Sequence, residues 1–498
     1  MNINKLKSVL PLCIVLLVCS MNKVSAGHYF PKSLFDTIFI SYQKDQKAFI
    51  PRHHQYHQTL TIKLFMSQAL FDGKLKREDN GQSVLYLNYD QILDVIRKID
   101  NLTLGIPKIV YLVGWQYNGH DSKYPAWFEG NKILKRSVDT TSLESLKWLM
   151  KEADKYNTTI SLHLNMFDAY KDSPLWETYL KNDIIAKNTD GTLREGEWGY
   201  PISYAQEWKT GYAQKRIDSI CKLLPLQKAG TVHIDAFHTW PPIPITDEKG
   251  NYHVDLEKGP ISPYLNFTVK DETEAQKNIF KYWASKGIDV TSEGVDFLRE
   301  LTFEGYQPMA WNFDGGLNNY LKWPASYYCG GKDNSIWGKL FGASMQGEDI
   351  VKKDKVNLTG FKEDFCLKTT IWYYLNRLTR LFVLNGNEYK AVQFSENVRT
   401  SYSKGLYKVT QDNVTFVENG DILIPALWID GESLIAYSQD GYENKTWDLP
   451  KRWSDIRKVK VLRITAEGKK YIGIRKIKDG KLTLALAKDE MILIKQYQ

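Results

Sequence analysis

Apolar residues recur with three different spacings along the chain, and each spacing predicts a different architecture. Between residues 27 and 89 the pattern is mixed: Thr37–Ser41 and Leu60–Phe65 read as strands, and Arg52-His53-His54 as loop. From about residue 90, helical and strand patterns alternate. Ile92, Val95, Ile96 and Ile99 share one face of a helix over Tyr89–Ile99, followed by an apolar strand over Lys108–Val113. Thr141-Ser142-Leu143-Glu144 is a capping-box signature that opens the next helix. Strands are expected over Thr159–Asn165, Thr231–Asp235, Ile288–Thr291 and Gln307–Phe313, and helices over Trp208–Leu224, Glu272–Lys286 and Gly294–Leu301. Repeated strand–helix units predict an α/β fold with a parallel sheet, and a (β/α)8 TIM-type barrel fits residues 90–388. No glycine-rich phosphate fingerprint follows the first strands, which argues against a nucleotide site. From residue 389 to 498, short β-rich runs separated by Asp-Gly turns predict a C-terminal all-β sandwich domain.

The first 26 residues read differently. Lys5 and Lys7 precede an apolar run over Val9–Cys19, and Val24-Ser25-Ala26 fits a small-residue cleavage site. The run is shorter than the roughly 20 residues of a spanning helix, so residues 1–26 are expected to be a cleaved secretory signal peptide, and the protein secreted or periplasmic. A lipoprotein anchor on Cys19 is the rival; the bulky Val18 disfavours it. Residues 27–89 remain as a short β-containing N-terminal segment. No later stretch is apolar enough to insert stably in a membrane.

Composition narrows the function classes. The chain has 498 residues, 43% hydrophobic and 25% charged, which excludes a wholly disordered or fibrous chain. The net charge of +8 includes three lysines of the first 26 residues; the remainder, read as mild and evenly spread, argues against a nucleic-acid partner. Cys221, Cys329 and Cys366 do not make a disulfide framework, and no CxxC or HExxH motif marks a tight metal site. No cofactor and no metal are expected. Fifteen Trp and 30 Tyr supply many flat apolar faces of the kind that stack on sugars, though most must serve packing.

Period-two alternation assigns the strand faces. Ser161, His163 and Asn165 share one side of their strand, His233 and Asp235 one side of the next, and Asp289, Thr291 and Glu293 one side of the third. These are the barrel-facing sides, because the alternate positions are apolar. Asp235 and Glu293 then stand at the C-terminal ends of consecutive strands, where barrel enzymes place their chemistry. Two such carboxylates are what glycoside hydrolysis requires: one attacks the anomeric carbon or activates water, and the other protonates the leaving oxygen. Each also has a structural reading, Asp235 as a helix cap or ion-pair partner and Glu293 as an N-terminal helix charge. Trp115, Tyr117, His120, Asp121, His163, Asn165, His233, His238, Trp240, Trp311 and Asp314 cluster after or within the same strands. Polar and aromatic groups so placed suit a polyol with apolar ring faces. Their spacing does not separate retention from inversion.

The ordered motifs Tyr111-Leu-Val-Gly-Trp115-Gln-Tyr117-Asn-Gly-His120-Asp121, His163-Leu-Asn165, Val232-His-Ile-Asp235-Ala-Phe and Asp289-Val-Thr-Ser-Glu293-Gly resemble the endo-α-N-acetylgalactosaminidase-like glycosidases, glycoside hydrolase families 101 and 129. The resemblance covers about residues 90–350. It implies a retaining α-glycosidase with Asp235 as nucleophile and Glu293 as acid/base, and a glycan or glycoprotein substrate carrying α-linked N-acetylgalactosamine, alone or as Gal-β1,3-GalNAc. The chain departs from that pattern in a long, charged insertion around Trp240–Lys270 and in lacking a large N-terminal β-sandwich and accessory binding modules. A related α-galactoside hydrolase with a different pocket, and a non-catalytic glycan-binding protein on the same scaffold, are the alternatives. Oligomeric state is not readable.

Overall fold

The computed structural model describes residues 35–42, 52–72, 78–196, 199–235, 237, 243–246, 252–255, 261–292, 306–308, 316–322, 324–327, 333–342, 350–352 and 355–497. Strand β1 is Phe35–Phe39, followed by β2 (Leu60–Phe65), β3 (Lys108–Val113), β4 (Thr158–Asn165), β5 (Thr231–Asp235), β6 (Asp289–Ser292) and β7 (Tyr306–Pro308). Strands β2 to β7 form one six-stranded sheet in sequence order, and every pairing in it is parallel. Helices cross between successive strands from β2 to β6, which is the construction of a (β/α)8 barrel. Six of its strands lie among the described residues.

The strands form where the sequence leaves no alternative to burial. All six residues of β3 are buried, as a parallel strand covered on both faces must be. Helix α1 (Tyr89–Thr103) begins at a reciprocal cap between Asn88 and Gln91 and buries Ile92, Val95, Ile96 and Ile99. Helix α2 (Ser142–Glu152) begins at the Thr141/Glu144 box that the sequence predicts. Helix α5 (Val269–Ser285) precedes a turn in which Gly287 has φ 74°.

Three expectations need correction. Leu60–Phe65 does not belong to a separate N-terminal segment: it pairs in register with Lys108–Val113 and starts the barrel sheet. The strand expected at Thr37–Ser41 is Phe35–Phe39, and it pairs antiparallel with Arg380–Gly386. It thereby joins an eleven-stranded antiparallel sheet that begins before residue 389 and draws on both ends of the chain. The single helix expected over Trp208–Leu224 is two, α3 (Tyr204–Lys209) and α4 (Tyr212–Leu223), because Gly211 takes a left-handed φ of 76°.

The large sheet packs on two sides. Ile422, Ile424, Ile435, Tyr437 and Leu493 face the continuous core shared with the barrel, while Leu423, Leu434, Ala436, Ile492 and Ile494 face Trp447, Leu449, Leu482, Leu484 and Leu486. The second layer is the antiparallel pair Tyr442–Asp448 and Lys481–Leu486. Cys221 and Cys366 are free thiols, and Cys329 lies outside the described residues. Among the described residues no helix is long and apolar enough to cross a membrane.

A buried ion pair locks α4 under the loop that follows β3. Arg216 Nε lies 2.9 Å from Glu207 Oε1, and both side chains are almost fully excluded from water. Tyr179 donates its hydroxyl to the same carboxylate oxygen at 2.5 Å. The guanidinium also donates to the Pro125 carbonyl at 2.9 Å and lies 4.2 Å from the Trp127 ring. Burial pushes the Glu207 carboxyl up, against the pull of Arg216 and Tyr179. Removing one partner strands the other charge, so Arg216→Ala should lower the unfolding free energy by about 3–5 kcal/mol. The double variant Arg216→Met/Glu207→Gln should lose much less. Denaturant melts compare the two, and equal losses would assign the cost to packing.

Candidate active site

The parallel registers bring the inward residues of three strands side by side. His163 of β4 is level with His233 of β5, and His233 with Thr291 of β6; Asn165 is level with Asp235. The rings of His163 and His233 are 5.1 Å apart, and His163 and His120 meet edge-on at 5.3 Å. His163 Nε2 lies 3.7 Å from Asp235 Oδ1. Asp235 ends β5 and keeps about a fifth of its side chain exposed, whereas His163 and His233 are buried. The site is a half-open carboxylate standing on a floor of imidazoles.

Burial depresses both imidazoles. His163 is held below its ordinary pKa by desolvation, opposed by Asp235 and reinforced by Lys63; His233 is held well below it by desolvation, then by Lys63 and His163. Nδ1 of His233 is 3.0 Å from Thr291 Oγ1, which orients its ring. Potential ligand atoms of His163, His233 and Asp235 lie within 4.8 Å of one another, as do those of His120, Asp121 and Asp235, so these are the groups that could hold a cation.

The loop after β3 is built to carry His120 and Asp121 to this floor. Gly114 has φ 78°, and a β-carbon there would lie 1.9 Å from the Ser67 carbonyl oxygen, so only glycine permits the approach. The His120 amide donates to that same carbonyl at 3.1 Å. Asp79 accepts from Asn118 Nδ2 at 2.8 Å, Ser122 Oγ at 2.6 Å and Lys123 Nζ at 3.2 Å. Burial raises the Asp79 carboxyl, but these donors and the Gly81 amide outweigh it and hold the group below its ordinary value. Tyr117, Asp121 and Lys123 all take positive φ, a conformation that this network must hold in place.

The expected site residues divide by environment. Asp235, His163, His233, His120 and Asp121 converge. Trp115 is fully buried and donates Nε1 to the His163 carbonyl at 3.2 Å, so it walls the site and presents no face for stacking. Asn165 is equally buried: its Oδ1 accepts from the Phe167 and Asp168 amides, and Nδ2 donates to Asp168 at 2.7 Å. It shapes the turn after β4 and is not a free sugar contact. Tyr117 is half-buried, its hydroxyl accepting from the Phe128 amide and pushed up to about 12 by burial. Glu293, His238, Trp240, Trp311 and Asp314 lie outside the described residues. Asp289, assigned to the inward face by alternation, sits at the opposite end of its strand from the site. It accepts from the His53 amide at 2.8 Å and from the Tyr56 hydroxyl at 2.9 Å.

Sequence reasoning missed Lys63, Tyr124 and Tyr170. Lys63 is buried in β2 and acts electrostatically on both floor histidines. Its signal was present: a lysine amid the apolar run Leu60–Phe65. Tyr124 and Tyr170 stack at 5.9 Å, and burial raises both phenols, with Asp121 and Asp235 adding to the rise.

The neutral floor predicts an acid limit to stability. An imidazole whose native pKa lies below its unfolded value leaves the unfolded chain holding more protons below about pH 6.5. Stability present above that pH is therefore lost as pH falls toward the native pKa, by up to about 1.4 kcal/mol per pH unit for each histidine. Melting temperatures measured from pH 7.5 to 5 should fall, and fall less steeply in His233→Gln. An unchanged slope would mean that the floor does not control acid stability.

Residues 82–286 match the model of a family described as endo-α-N-acetylgalactosaminidase, glycoside hydrolase family 101. Among solved structures, the α-N-acetylgalactosaminidase NagBb from Bifidobacterium bifidum is similar. Its quadruple mutant aligns with TM-score 0.50 and 12% identity over 72% of this chain and 58% of that one. Its GalNAc complex aligns with TM-score 0.50 and 11% identity over the same shares. The chain thus spans under two thirds of the length of these structures, and identities this low speak to the fold alone. In the stretch that holds β3, β4, β5 and Asp235, the chain is similar to the endo-α-N-acetylgalactosaminidase family of glycoside hydrolases, and it carries the barrel and β-domain fold of such glycosidases.

Proposed function

We propose that the protein is a retaining α-glycosidase that releases α-linked N-acetylgalactosamine, alone or as Gal-β1,3-GalNAc, from O-glycans. The observation that carries this reading is the partly exposed Asp235 carboxylate at the end of a central barrel strand, beside His163. The family match over residues 82–286 supports the substrate class. In the first step a carboxylate oxygen of Asp235 bonds to the anomeric carbon as the glycosidic C–O bond breaks, and Glu293 gives its proton to the departing oxygen. In the second, Glu293 takes a proton from water, whose oxygen displaces Asp235 and restores the original configuration. His163, held below its ordinary pKa by burial, stands beside Asp235 as a hydrogen-bonding ring. His120 and Asp121 are positioned to bind sugar hydroxyls. Residues 1–26 fit this role as a secretory signal, since the substrate is extracellular.

Chromogenic α-glycosides of GalNAc and of Gal-β1,3-GalNAc test the assignment. Asp235→Asn should reduce turnover by at least about a thousandfold. Asp235→Ala with added azide should yield the β-glycosyl azide, because azide enters the face that the nucleophile vacated. Near-native turnover in Asp235→Asn would remove Asp235 from the chemistry, and inversion of the first product seen by NMR would remove the covalent intermediate.

A further inference from the structure

The positive charge is not evenly spread, contrary to the expectation from the whole-chain balance. Residues 451–498 hold fourteen Lys and Arg against five Asp and Glu, so this segment alone exceeds the net charge of the entire chain. It forms one end of the eleven-stranded sheet, where β8 (Lys458–Thr465) lies between β9 (Gly468–Lys476) and β10 (Glu490–Gln496).

Register and alternation place Lys458, Lys460, Lys476 and Lys495 on one face. Lys458 stands directly opposite Lys476, and Lys460 directly opposite Lys495. Like charges facing each other across strands destabilise a sheet. Protection of a free edge explains lysines on β9, the terminal strand. It does not explain Lys460 and Lys495, because β8 and β10 are interior strands with both edges paired. Among the described residues, Asp430, 3.1 Å from Lys495, is the acid bonded to this group of four lysines. Two apolar side chains interrupt the lysines on the same face: Tyr471, 53% exposed with Lys460 Nζ 5.4 Å from its ring, and Ile474. Tyr497, 49% exposed, follows at the end of β10.

We propose that this face binds an extended anionic glycan, its lysines pairing with carboxylate or sulfate groups and Tyr471 stacking on a sugar ring. A polyanion relieves the opposed lysine pairs, and exposed tyrosine suits pyranose faces. The choice of a glycan rests on the glycosidase reading given above. A docking face on the same chain would hold a polymeric substrate near the barrel and raise its effective concentration. Small glycosides would gain nothing from it.

The test is binding of the full chain to immobilised sialylated mucin, to the same mucin after sialidase treatment, and to heparin. The comparison is with the variant Lys458→Gln/Lys460→Gln/Lys476→Gln/Lys495→Gln. Wild type should bind at least one anionic surface, more weakly as salt rises, and the variant at least about tenfold less tightly. Loss on sialidase treatment assigns the anion on mucin to the sialate carboxylate, and binding to heparin but not to chemically desulfated heparin assigns it to sulfate. Hydrolysis of the chromogenic glycosides should be unchanged by the variant. Equal binding by variant and wild type would overturn the proposal. So would preference for RNA or for phosphatidylserine vesicles over both glycans. Binding is read without turnover, so a chain that binds yet hydrolyses nothing refutes the glycosidase reading and leaves the docking face in place.

Discussion

Parallel register is the constraint on which the site depends. Because β4, β5 and β6 run the same way and pair without slippage, His163, His233 and Thr291 fall on one level, and Asn165 and Asp235 on the next. A shift of one residue in β5 would turn Val232 and Ile234 toward the barrel interior and Asp235 toward the helices. The apolar positions prevent that shift, since Val232, Ile234, Leu162 and Leu164 are all fully buried. The hydrophobic pattern therefore fixes the polar pattern.

The same burial shapes the chemistry. Imidazoles taken out of water lose their charge more readily than they gain stabilisation from one partly exposed carboxylate. The result is a floor that is polar in shape but largely uncharged, with the Lys63 side chain buried close to it. The loop of His120 and Asp121 closes over one side. It is held by charge-assisted bonds that Lys123 donates to Asp79 and Asp172, at 3.2 and 2.6 Å, and not by regular structure.

Much of this was readable from periodicity. The strands Lys108–Val113 and Thr231–Asp235 and the Thr141 cap follow from local pattern alone, and alternation put His163, His233 and Asp235 on one side. What was lost had long-range causes. Leu60–Phe65 was legible as a strand, but nothing local says that its neighbour is Lys108–Val113 and not β1. The joining of Phe35–Phe39 to Arg380–Gly386 across the length of the chain is likewise invisible to a window of residues. Strand alternation and loop position put Asn165 and Trp115 among the expected sugar contacts, and both side chains are buried, Asn165 bonded within the turn after β4 and Trp115 bonded to the His163 carbonyl. Lys63 stands out in its apolar run but carries no local mark of its role: only its burial in the barrel sheet brings it near the histidines.

The two halves of the molecule handle charge in opposite ways. In the barrel, two cations withdrawn from water are matched with acids: Arg216 with Glu207, and Lys108 with Asp100 at 2.6 Å. At the end of the large sheet, opposed lysines remain where any polar residue would serve the fold, at a cost of about 0.2–1 kcal/mol per pair. That sheet tolerates the cost because Trp447, Trp453, Val459, Val461, Ile492 and Ile494 already bury its other face. An unmatched charge costs several kcal/mol in a buried interior and far less on an exposed sheet face, so a well-packed sheet can keep an unbalanced face. Such a face is not explained by folding, and its charge has to be understood through what meets it from outside.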